Sequence, residues 1–192
     1  YPRKSCEIQI TMFHKPVMIK EAIESLKKKQ SGIYVDLTYG GGGHSKEILQ
    51  CLGKDGKLFA FDQDYDASKN KIHDKRLFFI NQNFKYLKQN LKYYNCDFVD
   101  GILGDLGVSS HQLDTPERGF ATRFDSKLDM RMDKQSNIDA CKIINTYSSD
   151  KLATLFTAYG DFTNSFQISD LICSARAKKN IETTFELNKI CL

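Results

Sequence analysis

The stretch Ile33-Tyr34-Val35-Asp36-Leu37-Thr38-Tyr39-Gly40-Gly41-Gly42-Gly43-His44-Ser45 decides how this chain folds. Its first six residues are β-branched and apolar enough to form a buried parallel strand. Four glycines then end the strand. Glycine lacks a Cβ and accepts positive φ, so a turn built from it lets backbone come close to a ligand. A helix is expected at once over His44–Leu52, with Ile48, Leu49 and Leu52 on one face and Gly53, Asp55 and Gly56 closing it. Lys57-Leu58-Phe59-Ala60-Phe61-Asp62 reads as a second strand. It delivers a carboxylate to the carboxyl edge of the sheet, where doubly wound folds bind ribose hydroxyls.

Strand, glycine turn, helix, strand and acid together point to a nucleotide-type cofactor. Counting from Gly40, the dinucleotide pattern G-x-G-x-x-G fails at Ser45, and no Gly-Lys-Ser/Thr of a P-loop follows. A cofactor with a ribose but no pyrophosphate remains, and S-adenosylmethionine is the candidate. Asp36 is then expected to face its cationic methionine end. A nicotinamide-dependent oxidoreductase is the less favoured alternative.

Past Asp62 the alternation predicts a helix over Asp64–His73, a strand over Arg76–Ile80, a helix over Phe84–Leu91 and a strand over Phe98–Asp105. Strands separated by helices imply a parallel α/β sheet. Asp105 would be the third carboxylate at the same edge, placed to meet whatever reacts with the cofactor, unless it merely caps its strand. Residues 106–133 then lose all periodicity. A loop this long is uncommon in a compact domain unless functional or disordered, and Phe120, Phe124, Leu128, Met130 and Met132 argue for order. Arg118, Arg123 and Arg131 could meet phosphates, or be locked in ion pairs by the five interleaved acids; both readings stand. Residues 136–192 read as helices over Ile138–Tyr147, Asp150–Ala158, Asn164–Ala177 and from Thr184, the last with a Thr183-x-x-Glu186 capping box. Arg176, Lys178 and Lys179 are either phosphate contacts or a solvated helix end.

Bulk properties set looser bounds. A chain of 192 residues, 41% hydrophobic, can bury one sizeable core with an elaboration. No apolar run is long enough to span a bilayer and no signal-peptide pattern occurs, so a cytoplasmic location away from membranes is expected. Cys6, Cys51, Cys96, Cys141, Cys173 and Cys191 are scattered without a C-x-x-C pair, which argues against a zinc site and a disulfide framework and for reduced packing residues. The net charge of +4 resides in residues 1–35, largely in Lys27-Lys28-Lys29, a run better read as the solvated end of a helix than as an RNA contact.

Several longer motifs carry a resemblance. His14-Lys15-Pro16-Val17, Asp36 through Ser45, Asp62-Gln63-Asp64, Asp100 through Asp114, Pro116-Glu117-Arg118-Gly119-Phe120 and Leu128-Asp129-Met130-Arg131-Met132-Asp133 strongly resemble the MraW/RsmH family of small-subunit ribosomal RNA cytosine-N4 methyltransferases. The resemblance runs in order from about Met12 to the end. It implies a Rossmann-like class I methyltransferase sheet, here partial, with a helical insert subdomain, and transfer of the methyl of S-adenosylmethionine to a cytidine N4 in the decoding region of 16S rRNA. It implies that Gly42, Gly43 and His44 line the cofactor, that Asp62 holds its ribose, that Phe84 packs on the adenine, and that Asp105 and Gln112 complete the pocket. Bland alternatives stay open for Phe84 as core and His44 as a helix cap. Asp105 is the candidate catalytic acceptor for the N4 proton, with service to the cofactor as its alternative. The partner implied is 16S rRNA or the small subunit; a homodimer is left open.

The implied division is a leader or extension over 1–11, a cofactor-binding domain over 12–135 with its active-site loop at 106–133, and a helical insert over 136–192. Family members continue past the insert and return to the sheet, so the chain reads as C-terminally truncated. Its fourth strand would carry an open edge. A cofactor- or RNA-binding fragment without turnover is therefore the alternative function.

Overall fold

The computed structural model describes residues 18–26 and 29–191. Expectations that fall on residues 1–17, on Lys27 and Lys28, and on the end at Leu192 lie outside the described residues. Four strands, β1 (Ile33–Asp36), β2 (Lys57–Phe61), β3 (Leu77–Ile80) and β4 (Gly101–Leu103), form one parallel sheet in the order β3-β2-β1-β4. Helices α1 (Ile19–Ser25), α2 (Gly43–Cys51), α3 (Tyr65–Ser68) and α4 (Leu87–Tyr93) accompany them.

Strand periodicity explains why β1 and β2 are apolar almost throughout. Successive side chains point to opposite faces. Tyr34, Leu58 and Ala60 pack with Ile23 of α1 and with Ile48 and Leu49 of α2. Val35, Phe59 and Phe61 pack on the other side with Ile80 and with Leu87 and Leu91 of α4. With both faces covered, the strands cannot alternate with polar residues. The result is a Rossmann-like α/β sheet with helices on both faces.

Four further helices follow: α6 (Ala140–Thr146), α7 (Ser149–Gly160), α8 (Ser165–Arg176) and α9 (Thr184–Cys191). They gather around their own apolar cluster of Ile144, Leu152, Ile168, Ile172 and Ile181, to which the preceding loop contributes Leu128. The capping box of α9 is present, with Glu186 N–H donating to Thr183 Oγ1 at 3.2 Å and Thr183 N–H to Glu186 Oε2 at 3.2 Å. Arg176 is not free for phosphate: its guanidinium donates to the carbonyls of Ile144 and Tyr147, satisfying orphan acceptors at the end of α6. Lys179 pairs with Glu186 at 2.6 Å on the surface.

Three elements differ from the sequence expectation. The helix expected over Asp64–His73 stops at Ser68, and Tyr39 accounts for its end. The Tyr39 hydroxyl donates to Asn70 C=O at 2.9 Å and accepts Ile72 N–H at 3.0 Å, which fixes residues 70–72 as irregular chain. The last strand is three residues rather than eight, because β4 is a sheet edge pairing only with β1 and Asp100 instead uses its carboxylate to accept Ile33 N–H at 2.9 Å. The 106–133 loop contains α5 (Ser110–Asp114) and a 3-10 turn over Pro116–Arg118. Of the described cysteines, none is in a disulfide; Cys96 is buried, Cys51, Cys141 and Cys173 are half-buried, and Cys191 is exposed rather than packed. Among the described residues no helix is long and apolar enough to cross a membrane.

Candidate cofactor-binding site

The chain leaves β1 for β2 and β3 on one side, then returns to β4 on the other. Loops that end neighbouring strands at such a reversal diverge and leave a crevice, the usual ligand site of open α/β sheets. Here the loops after β1 and β4 remain tied just beyond the strands. Leu37 N–H donates to Leu103 C=O at 2.8 Å, and Asp105 N–H donates to Thr38 Oγ1 at 2.8 Å.

The glycine turn follows Thr38 and Tyr39. Gly40 and Gly42 have φ of +52° and +78°, a region that costs residues with a Cβ. A Cβ on Gly42 would sit 2.7 Å from Tyr39 Oη, whereas one on Gly40 would meet nothing within 4 Å, so open volume lies beside that backbone. Asp62 clamps the turn: its Oδ2 accepts Gly40 N–H at 2.7 Å and its Oδ1 accepts Asp64 N–H at 2.8 Å. Burial pushes the Asp62 carboxyl above the usual carboxylate range against the pull of those two donors.

Asp36 is a correction. Expected to face the methionine end of a cofactor, it is fully buried beneath the turn, accepting Ser45 Oγ–H at 2.7 Å and Thr38 N–H at 3.0 Å. Burial raises its carboxyl, and the two hydrogen bonds and nearby His44 oppose the rise. Ser45 stood out in the sequence only as a missing glycine. In the structure its hydroxyl ties α2 to the end of β1.

Gly43 and His44 open α2, so their backbone N–H groups belong to a helix N-terminus, which favours anionic groups. Gly42, not His44, is the N-cap, and His44 is buried in the first turn. Phe84 lies in a 3-10 turn after β3 and is 39% exposed, outside the apolar clusters that hold Phe78 and Phe79. The core alternative for Phe84 therefore falls. Asp105 is exposed at the end of β4. Gln112 is buried: it accepts Ser109 N–H at 3.0 Å and donates to Asp64 Oδ2 at 2.9 Å, which leaves one amide hydrogen.

The three loop arginines are committed to internal partners. Arg131 forms a two-pronged bond with Asp129, at 2.8 and 2.6 Å, and Arg123 pairs with Asp114. Arg118 is only 2% exposed; it meets Asp64 Oδ2 at 2.5 Å and Arg131 C=O at 2.8 Å. Asp64 thus joins α3, whose first turn it caps through Asp66 N–H, to α5 through Gln112 and to the 3-10 turn through Arg118. Its own N–H returns to Asp62. Sequence reasoning quoted Asp62-Gln63-Asp64 and missed this hub, although an Asp before a helix start is a capping signal. Gly119 then turns at φ +71°, where a Cβ would lie 2.5 Å from Lys127 O.

The donor set suits S-adenosylmethionine. An open glycine backbone and a helix N-terminus suit its amino-acid end, and a carboxylate with unused lone pairs suits a ribose. A model of the MraW methylase family matches residues 11–192. The chain belongs to that family. Ribosomal RNA small subunit methyltransferase H of Christiangramia forsetii is 53% identical over 178 residues, covering 93% of this chain and 59% of that protein. Proteins of the same name from Flavobacterium johnsoniae and Bacteroides fragilis are 49% and 47% identical, again covering 59% of their length. The chain thus spans about 59% of these MraW relatives. A crystal structure of a proposed methyltransferase from an antibiotic-biosynthesis pathway of Anabaena variabilis aligns with 73% of this chain and 59% of its own at 11% identity and a TM-score of 0.34.

Proposed function

We propose that this chain binds S-adenosylmethionine at the glycine turn and serves in methylation of N4 of a cytidine in the decoding region of 16S rRNA. The observation that carries the reading is the Gly40 turn, open beside its backbone and clamped by Asp62 at the strand-order reversal. The names of the MraW relatives give the substrate class.

Bound there, the cofactor would supply a methyl group already activated by its sulfonium. Gly42, Gly43 and His44 would line its amino-acid end, and the remaining lone pairs of Asp62 would accept hydrogen bonds from its ribose hydroxyls. The exposed Phe84 ring would pack on the adenine, and Asp105 and Gln112 would complete the pocket. The protein's main contribution is alignment of nucleophile and methyl. Cytosine N4 is a weak nucleophile because its lone pair is delocalised into the ring. Asp105 would accept a hydrogen bond from that amine and take the proton N4 loses as it gains the methyl, the methyl–sulfur bond breaking to leave a neutral thioether. The base must leave its stack, and the exposed Leu106 and Val108 beside Asp105 offer it an apolar slot. The division into a cofactor domain over 12–135 and a helical insert over 136–192 belongs to the same proposal, as do a cytoplasmic location and a small-subunit partner.

Tritium transfer from labelled S-adenosylmethionine to small ribosomal subunits tests the reading, with label expected in cytidine N4. Label at another atom, or in protein, would overturn it. A second reading starts from β4, which has no partner beyond β1 among the described residues and leaves Ile102 48% exposed: the chain would bind cofactor and RNA without turnover. Retention of both ligands without transfer would select it.

A further inference from the structure

Apart from the glycine turn, the described residues enclose a second cleft. It lies between the end of β3 and the helices α6, α7 and α9, with a volume of about 990 Å³. None of Gly42, Gly43, His44, Asp62, Phe84, Asp105 and Gln112 lines it, although Gln63 gives it a shared border with the ribose acid. Its size is at the upper end of the roughly 300–1,000 Å³ typical of small-molecule sites.

The lining has a definite chemistry. Ile144, Leu155, Phe156 and Leu187 make one wall apolar, and two tyrosine rings line the cleft, Tyr65 at 59% and Tyr86 at 43% exposure. Amide side chains are concentrated in it: Gln63, Asn81, Gln82, Asn83 and Gln135. Some of their capacity is used internally. Asn83 donates to Gln63 at 2.7 Å, Asn81 donates to Asp62 C=O at 2.7 Å, and Gln82 accepts from Asn90 at 2.9 Å. This leaves an acceptor on Asn81 and a donor on the adjacent Gln82 without a protein partner among the described residues. Amide acceptors and donors are the groups that pair with the edge of a nucleobase. Charge points the same way. Lys85, Arg131 and Lys134 are matched by Asp129, Asp133 and Asp139, and Arg131 is already bound to Asp129 while Lys134 reaches Asp66 at 3.1 Å. A balanced cleft does not select an anion. Aromatic rings, amides and an apolar wall select a flat, uncharged, hydrogen-bonding group.

We propose that this cleft receives a nucleobase of the RNA, from a nucleotide other than the one methylated. The inference rests on the RNA reading above and extends it: the strand is held at two places, by the reacting cytidine at the β4 end and by a neighbouring base between the β3 end and the helices. The helical region then sets which stretch of RNA is presented to the cofactor.

The test uses short single-stranded RNAs of mixed sequence, fluorescently labelled and each carrying one abasic position walked along the strand, titrated with the full chain and with the Tyr65→Ala/Tyr86→Ala variant. For the unaltered protein, an abasic position other than the cytidine that reacts should weaken binding about 5- to 150-fold, the range expected for loss of one stacked base. The variant should bind intact RNA correspondingly more weakly, should no longer sense that abasic position, and should bind S-adenosylmethionine as before. Equal RNA affinity in both proteins with no abasic effect would overturn the cleft and leave the methylation reading intact. Failure of both proteins to bind RNA while both bind S-adenosylmethionine would overturn the RNA reading itself. The abasic walk on the unaltered protein needs no variant, so a folding defect in the double substitution would not blunt it.

Discussion

Arg118→Met should be among the most damaging single changes in the chain, although the candidate site contains no arginine. The guanidinium is 2% exposed, and its charge is matched by Asp64, itself 5% exposed, at 2.5 Å. Methionine keeps much of the length and the apolar contacts but removes the donors. Asp64 would keep only Gln112 and the Asp66 N–H as partners, and the Arg131 carbonyl would lose its donor. Removing one member of a buried ion pair costs about 3–5 kcal/mol, because the other charge is left behind without its partner. At about 2–4 °C per kcal/mol for a chain of this size, the melting temperature should fall by about 6–20 °C. Urea unfolding followed by circular dichroism measures the loss, and limited proteolysis should reveal new cleavage within 119–131. Adding Asp64→Asn removes the stranded charge, so the double variant should recover at least about 0.5 kcal/mol relative to the sum of the singles. A loss below about 1 kcal/mol for Arg118→Met, or strict additivity in the cycle, would refute the hub.

Other expectations follow from the same geometry. Gly42→Ala, with its Cβ 2.7 Å from Tyr39 Oη, should destabilise the chain by at least about 1–2 kcal/mol and more than Gly40→Ala, whose Cβ meets nothing; thermal melts of the two compare them directly. Asp105→Asn should lower methyl transfer about 10²–10⁴-fold with little change in cofactor affinity, measured by single-turnover kinetics beside calorimetry. Burial raises the folded-state pKa of Asp36, so the native state holds its proton more tightly than the unfolded chain, and this group removes stability as pH rises above about 4. Asp36→Asn should flatten that part of the stability profile. Ion pairing and hydrogen bonding hold Glu186 and Asp66 down to about 2, so the stability they contribute is present above about pH 4 and is lost as pH falls toward 2. Urea midpoints measured across that range check both signs.

The sheet was legible because strands covered on both faces leave a plain signature. Ile33–Asp36 and Lys57–Phe61 are apolar runs bounded by glycine or acid, and each was read to within two residues. The capping box of α9 was equally local, since Thr183 and Glu186 satisfy each other's backbone N–H groups within one turn. What escaped was set by distant partners. The end of α3 depends on Tyr39, far upstream in the chain, whose hydroxyl bonds Asn70 and Ile72. Whether Arg118 meets phosphate or carboxylate depends on Asp64, and no periodicity in 106–133 records that contact. Asp36 was misplaced for the same reason: its position at a strand end was legible, but its burial under the turn comes from Ser45 folding back across it. The 990 Å³ cleft left no trace in the sequence because α3, the end of β3 and three later helices each supply a part of it.

Calorimetric titration of S-adenosylmethionine into the 192-residue chain, with NAD titrated in parallel and Asp62→Ala as the altered protein, tests the central claim most directly. The glycine turn and its clamp predict one saturable site for S-adenosylmethionine, no binding of NAD, and an affinity at least about 10-fold weaker in Asp62→Ala, as loss of hydrogen bonds to a charged group implies. Binding of NAD at the same site, or an Asp62→Ala variant that binds S-adenosylmethionine as tightly as the unaltered chain, would contradict it.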